Sequence, residues 1–315
     1  MKILHHCDHD GYCAAYVVKH CAVNYLDIDK DDIEYIEMDY NRPTPFDKIE
    51  KDETVYIVDF SIPPEDMNEL LAKTENVVWI DHHKSAIEKY DGYIFKVPYI
   101  VDGVRYGMWE YDDGNIKGIR EEGKAGCELA WEYFAKMYPH SMSSVMPQVV
   151  YLIGDWDTWR HESPSSKSFH FGATINHPED IAPYFAPSRG LFAGTNILTA
   201  IERGEAIMDY IKDWSSTYCK MFGHEVTIDG LKCFALNIQH INSEYFACMD
   251  GKGYDAYIAY AYNGKQWKVS MRSTSHDISD ICKRYGGGGH PGAASFWSDT
   301  LPDFLNNSNS KEEYL

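Results

Sequence analysis

The sequence predicts an α/β protein in which an N-terminal parallel sheet, with helices on both faces, is joined by a long helix to a smaller α+β domain. Three observations carry that reading. Residues 2–6, 54–61 and 77–83 are short apolar runs, too short and too β-branched for helices, and each empties into acids or imidazoles. Residues 197–222 keep an apolar stripe at helical spacing through Ile197, Ala200, Ile201, Ile207, Met208, Ile211, Trp214 and Tyr218. Past that stripe, Asp229-Gly230 and Asn263-Gly264 are hairpin-turn dipeptides between apolar strands.

The first run leads into His6-Cys7-Asp8-His9-Asp10-Gly11, and a helical pattern follows over residues 12–20. Histidine and two acids at alternate positions leave a strand tip together, as in divalent-metal clusters, and Gly11 lets the chain turn tightly into the helix. An Asp that only caps the helix is the plainer alternative. His5 and His9 flank this set, so His5 and His6 both stand as ligand candidates. Residues 33–38 read as a second strand, followed by the loop Arg42-Pro43-Thr44-Pro45. The run at 54–61 delivers one acid, Asp59, and Pro63-Pro64-Glu65 opens a helix after it. Val77-Val78-Trp79-Ile80 reads as a buried strand that carries Asp81-His82-His83 to the carboxyl end of the sheet, where ligands of such sheets bind. A single buried Asp-His pair is more often structural. Three strands ending in acids are different, because clustered carboxylates repel one another strongly unless cations sit among them.

Residues 99–123 read as a polar hairpin insertion turning near Asp112-Asp113-Gly114-Asn115. Residues 125–137 read as an amphipathic helix with Cys127, Ala130, Trp131 and Phe134 in the core. A buried helical run at 145–153 delivers Gly154-Asp155-Trp156-Asp157. One of these acids could complete the cluster while the other orients a ligand from behind, and spacing does not choose between them. Residues 163–194, rich in Ser, Pro and His without a period, read as a surface loop.

After the long helix, strands are expected at 225–228, 231–236, 256–262 and 266–273, then a helix at 278–285 that stops at Gly286-Gly287-Gly288-Gly289-His290. Four successive glycines cost much conformational entropy, so an ordered tetraglycine implies a backbone approach that no Cβ permits. Amides in such a loop can cradle an anion, and His290 can add a charge-assisted bond. The expected organisation is a catalytic domain at 1–195, a linker helix at 196–223, a substrate domain at 224–300 and a frayed tail at 301–315.

Composition bounds the function. The chain has 315 residues, which favours two cores, and 44% apolar content is ample for both. Its 29 basic and 49 acidic residues give a net charge of −20, which disfavours a long track along nucleic acid and leaves short anionic substrates. Eight cysteines without a Cys-x-x-Cys suit free thiols in a reducing compartment. No apolar run reaches the ~18 residues of a membrane span, and the start turns polar too early for a signal peptide, so a cytoplasmic protein is expected.

With these residues placed, the chain resembles the DHH phosphoesterase superfamily over nearly its whole length. The first motif corresponds to His6, Asp8, Asp10 and Gly11; the lone second-motif acid to Asp59; the signature itself to Asp81, His82 and His83; the fourth acid to Asp155 or Asp157. The Gly-Gly-Gly-His-x-x-Ala-Ala signature of the associated C-terminal domain corresponds to Gly287, Gly288, Gly289, His290, Ala293 and Ala294. Ser295 stands where many members carry another glycine.

The resemblance implies two divalent cations, Mn²⁺ first, with Mg²⁺ or Co²⁺ as alternatives. One would take His6, Asp8 and Asp59, the other Asp10, Asp59, His82 and the fourth acid. The family's fourth acid usually follows a small residue, which favours Asp155 over Asp157. His83, Asp59 and Asp10 are the implied catalytic set, while Arg272, Gly287, Gly288, Gly289 and His290 would grip the substrate's far phosphate. The expected activity is that of the nanoRNase branch: hydrolysis of short oligoribonucleotides to nucleoside monophosphates, with no membrane partner and with room for a homodimer. The rivals are a phosphodiesterase for cyclic mono- or dinucleotides, a phosphatase for a nucleoside bisphosphate, and a catalytically idle nucleotide-binding sensor. Acids kept at every motif argue against the sensor, since unused carboxylates contribute only repulsion.

Overall fold

The computed structural model describes residues 1–40, 42–84, 89–90, 99–101, 104–106, 116–185, 195–238 and 243–306. It divides into two units, Met1–Glu205 and Ala206–Leu315.

The first unit is built on seven strands: β1 Lys2–His6, β2 Glu34–Met38, β3 Val55–Val58, β4 Val77–Asp81, β5 Tyr99–Val101, β6 Val104–Tyr106 and β7 Lys117–Glu121. Their order is β2-β1-β3-β4-β7-β5-β6. β2 to β7 in that order are parallel, with Leu4 level with Ile36 on one side and Ile57 on the other, and the hairpin β5–β6 extends the sheet. Successive strand residues point to opposite faces, and both faces are covered. Ile3, Val58, Val78 and Ile80 pack with helices α1 (His9–Tyr25), α3 (Gly126–Met137) and α4 (Gln148–Asp157). Leu4, Ile57, Val77 and Trp79 pack with Met67 and Leu70 of α2 (Pro64–Lys73). Burying each such aliphatic side chain stabilises the fold by ~1.5–3 kcal/mol, so both faces are held.

Two expectations are corrected here. Lys117–Glu121, taken as part of a polar insertion, is the core strand β7 and pairs with β4; the hairpin of that region is β5–β6, and the turn expected near Asp112 lies outside the described residues. Charged residues at both ends of β7 hid a strand whose Gly118, Ile119 and Arg120 are buried. The supposed loop at 163–194 contains α5 (Pro164–Gly172), the 3-10 turn Pro178–Ile181 and α6 (Ala182–Phe185). Ser163 caps α5 by accepting from the Ser165 amide, with Pro164 in the first turn, and Phe169, Ile175 and Ile181 are core residues.

The boundary between the units falls inside the 28-residue helix α7, Thr195–Phe222. The second unit carries β8 Gly223–Ile228, β9 Leu231–Asn237, β10 Ala256–Tyr262, β11 Trp267–Arg272, β12 Gly288–His290 and β13 Ala293–Ser298 in the order β12-β13-β11-β10-β9-β8. Asp229 at φ 54° and Gly230 at φ 81° form the tight turn between β8 and β9. Helix α8 (Ser279–Arg284) and the short α9 (Asp303–Asn306) complete it, and Ile281, Cys282 and Leu305 pack with Ile258, Val269, Met271 and Phe296. The tail beyond 306 lies outside the described residues. All eight cysteines are free and six are buried. Among the described residues no helix is long and apolar enough to cross a membrane.

Candidate metal centre

β1 and β3 are neighbours, yet the chain leaves them toward opposite sides of the sheet, through α1 to β2 and through α2 to β4. Such a reversal opens a crevice at the carboxyl ends of the strands. The turn after β1 supplies His6, Asp8 and Asp10; the tip of β3 supplies Asp59; the tip of β4 supplies Asp81, His82 and His83.

Each residue is fixed by backbone chemistry. Asp8 both caps α1 and faces the crevice: Oδ1 accepts from the Gly11 amide at 2.9 Å, and Oδ2 lies 2.7 Å from His6 Nδ1. Asp10 is buried and accepts from the Gly126 and Cys127 amides, at 2.7 and 2.8 Å, at the positive N-terminus of α3. A Cβ on Gly126 would stand 2.6 Å from Asp59 Cβ, so only glycine allows α3 to start there. Asp59 is buried in a left-handed conformation, φ 51°, which a non-glycine residue holds only when its surroundings dictate it.

The side chains converge. His82 Nε2 lies 3.1 Å from Asp59 Oδ1, 3.6 Å from Asp157 Oδ2 and 3.7 Å from Asp10 Oδ2, while His6 Nδ1 lies 3.9 Å from Asp59 Oδ2. Among the described residues, three trios have ligand atoms within 4.8 Å of one another: His6, Asp8 and Asp59; Asp10, His82 and Asp157; Asp59, His82 and His83. Asp59 belongs to two of them.

The favoured fourth acid is corrected. Asp157 joins the cluster and Asp155 does not. Residues two apart on a helix point nearly opposite ways, so α4 cannot send both acids to one site. Asp155 is fully buried, accepting from the Glu162 and Ser163 amides at 2.8 and 3.1 Å with Arg160 Nε at 3.9 Å. The choice between His5 and His6 also resolves by alternation along β1. His5 is fully buried against Tyr12 and Tyr35, ring centroids 5.5 and 6.0 Å away, on the face opposite His6.

Burial pushes the Asp59 carboxyl well above the ordinary range, and the charges of Asp10, Asp8 and Asp157 push the same way. Burial, Asp10 and Asp8 raise Asp157 to about 8. Asp59 Oδ2 is buried without a hydrogen-bond partner. Oxygen and imidazole donors of this kind fit a hard or borderline divalent cation, which would satisfy that oxygen and cancel the repulsion. The residues present therefore fit the implied metals.

Behind the cluster sits a support that the sequence did not reveal. Asp81 accepts from Ser61 Oγ and holds His83 Nδ1 at 2.7 Å, with Arg120 Nη2 at 3.9 Å. Arg120 is buried on β7 with its guanidinium 3.9 Å over the Trp79 ring. Burial opposes protonation of His83, but the Asp81 bond together with the charges of Asp81, Asp10 and Asp157 raises the imidazole above its usual range. A charged residue inside a buried strand was the one available signal, since it must find a partner.

In the second unit the glycines are not a free loop. Gly288–His290 is the edge strand β12, paired with β13. A Cβ on Gly287 or Gly289 would stand 2.2 Å from Ser295 O or 2.4 Å from Ala293 O, so the approaching backbone is that of β13. The register sets Arg272 level with Ala293 and Ala293 level with His290, three residues in one row.

Residues 1–152 match the DHH family, N-terminal domain. No curated protein matches the chain in sequence. Among solved structures, a DHH domain described as a member of the s1p family of ribosomal proteins aligns at TM-score 0.51 and 14% identity, over 94% of this chain and 82% of that one. Exonuclease RecJ bound to manganese aligns at TM-score 0.50 and 11% identity, over 98% and 92%. At these identities the likeness is one of fold.

Proposed function

Because residues 1–152 match the DHH family, N-terminal domain, we propose that the protein is a phosphoesterase that cleaves the phosphodiester bonds of short oligoribonucleotides and releases nucleoside monophosphates. The observation that carries the reading is the convergence of His6, Asp8, Asp10, Asp59, His82 and Asp157 where the strand connections reverse direction, with Asp59 in the trio of His6 and Asp8 and its Oδ1 3.1 Å from His82 of the trio with Asp10 and Asp157. His6, Asp8 and Asp59 would hold one divalent cation, and Asp10, Asp59, His82 and Asp157 a second. When bound, two such ions supply a water acidic enough to attack phosphorus and neutralise the charge that develops there. Manganese is the first ion to try, given the manganese-bound exonuclease of similar fold.

The protein's own groups do the rest. With Nδ1 engaged by Asp81, His83 presents Nε2, and its raised affinity for protons suits it to hydrogen-bond a phosphoryl oxygen or protonate the leaving oxygen. The α3 amides keep Asp10 in place, and Ser61 and Arg120 keep Asp81 aimed at His83. In the second unit, Gly287, the strand Gly288–His290 and Arg272, level with it across Ala293, are the proposed contacts for a terminal phosphate. A net charge of −20 favours substrates with few phosphates over long strands.

Initial rates with Mn²⁺ on labelled di- to decaribonucleotides, cyclic nucleotides and nucleoside bisphosphates test the proposal. The di- to tetranucleotides should be cleaved fastest. Preferential turnover of a cyclic nucleotide or a bisphosphate would replace this reading with one of its rivals.

A further inference from the structure

Within the N-terminal unit, beside the acidic cluster, lies a cavity of about 230 Å³ whose lining includes the acids Asp8, Asp10 and Asp157 and the rings of Trp156, Trp159 and His170. The acids belong to the metal cluster. The rings are not needed to build it.

Three features of the aromatic wall call for a ligand. The rings run nearly parallel: Trp156 lies 17° from the plane of Trp159 and 26° from that of His170, at centroid distances of 6.5 and 4.8 Å. Trp159 is 69% exposed, two residues beyond a helix that buries Val149, Val150, Leu152 and Ile153. Its backbone is left-handed, φ 57°, a conformation that a bulky residue holds only under constraint and that clusters at binding sites. His9, which also lines the cavity, keeps Nδ1 buried and without a partner, 4.9 Å ring to ring from His170.

A flat heteroaromatic ring suits these walls. It would stack on the indoles, and an amino or imino hydrogen at its edge would meet His9 Nδ1. A free phosphate would not suit the aromatic side, and an aliphatic group would leave His9 unsatisfied. We infer that Trp156, Trp159 and His170 form a stacking platform for the nucleobase of the nucleotide whose phosphate lies at the acidic cluster. The inference rests on the nucleotide substrate proposed above and adds to it a subsite that grips the base by its face, tolerant of sequence because every base has one.

The test is binding, so it stands apart from turnover. AMP and ribose 5-phosphate would be titrated calorimetrically into manganese-loaded wild type, Trp159→Ala and Trp159→Phe. Wild type should bind AMP. Trp159→Ala should weaken AMP by about 5- to 150-fold, the range for losing one base-stacking partner, and Trp159→Phe should recover most of it. Ribose 5-phosphate, which has no base, should bind all three proteins alike. Because Trp159 is exposed, unfolding of the variant should not obscure the result, and unchanged melting checks that directly. Unaltered AMP affinity in Trp159→Ala, an equal loss for ribose 5-phosphate, or no AMP binding by wild type would each overturn the platform. Inactivity on oligoribonucleotides with the AMP result intact would instead overturn the proposed reaction and leave the platform standing.

Discussion

Asp59→Asn should abolish turnover, with a loss beyond ~100-fold, and manganese content should fall with it. Replacing a group that merely supports a metal ligand costs 10–100-fold, and Asp59 is the acid that two ligand trios share. Its Oδ2 has no hydrogen-bond partner, so in the absence of a cation the contact of Oδ1 with His82 Nε2 at 3.1 Å stands against burial and the charges of Asp10, Asp8 and Asp157, which together push the carboxyl well up. Asparagine keeps the shape and removes the charge. In chelator-treated protein the variant should therefore melt at the wild-type temperature or above it, since repulsion is relieved. Rate, elemental analysis and thermal unfolding on one preparation check all three, and an active, manganese-replete variant would remove Asp59 from the centre.

A second large effect separates two acids on one helix. Asp157→Asn should cost more than ~100-fold in kcat/KM with the fold intact, because it removes an oxygen 3.6 Å from His82 Nε2. Asp155→Asn should act on stability. It discards the charge that faces Arg160 and weakens the acceptance from the Glu162 and Ser163 amides, an effect of about 1–3 kcal/mol for a buried group. Steady-state kinetics and denaturant unfolding on the pair would show rate falling in one and stability in the other. The reverse pattern would restore Asp155 to the cluster.

Why was Asp157 not chosen from sequence? The helical run was expected to end at Ile153, leaving both acids beyond it, whereas α4 continues through Asp157. Which acid faces the crevice is then a matter of helical phase, and phase is fixed by packing that only the folded chain shows. The same holds for His5 and His6. In a parallel sheet buried on both faces, alternation says that they differ but not which one meets the site.

Other elements were legible because their signals are local. Each strand that feeds the centre is a short apolar run ending in acids, and the turn dipeptide Asp229-Gly230 sits where the hairpin needs two left-handed residues. The tetraglycine was legible as a close backbone approach, but the approaching strand, β13, was not, because that long-range pairing is invisible in spacing. Helix α5 escaped notice because it is short and polar, although Ser163-Pro164 is a recognisable start. Arg120 was hidden by lying in a strand outlined by charges, where only its contacts with Trp79 and Asp81 explain its burial.

The central claim is that the crevice holds two divalent cations through the shared carboxylate of Asp59. Titration of chelator-treated wild-type protein with Mn²⁺, following free ion by electron paramagnetic resonance, tests it most directly. With Asp59 in the trio of His6 and Asp8 and 3.1 Å from His82 of the other, the account predicts two tightly bound ions per chain, with both lost in Asp59→Asn. A single ion per chain, or two that survive that substitution, would contradict it.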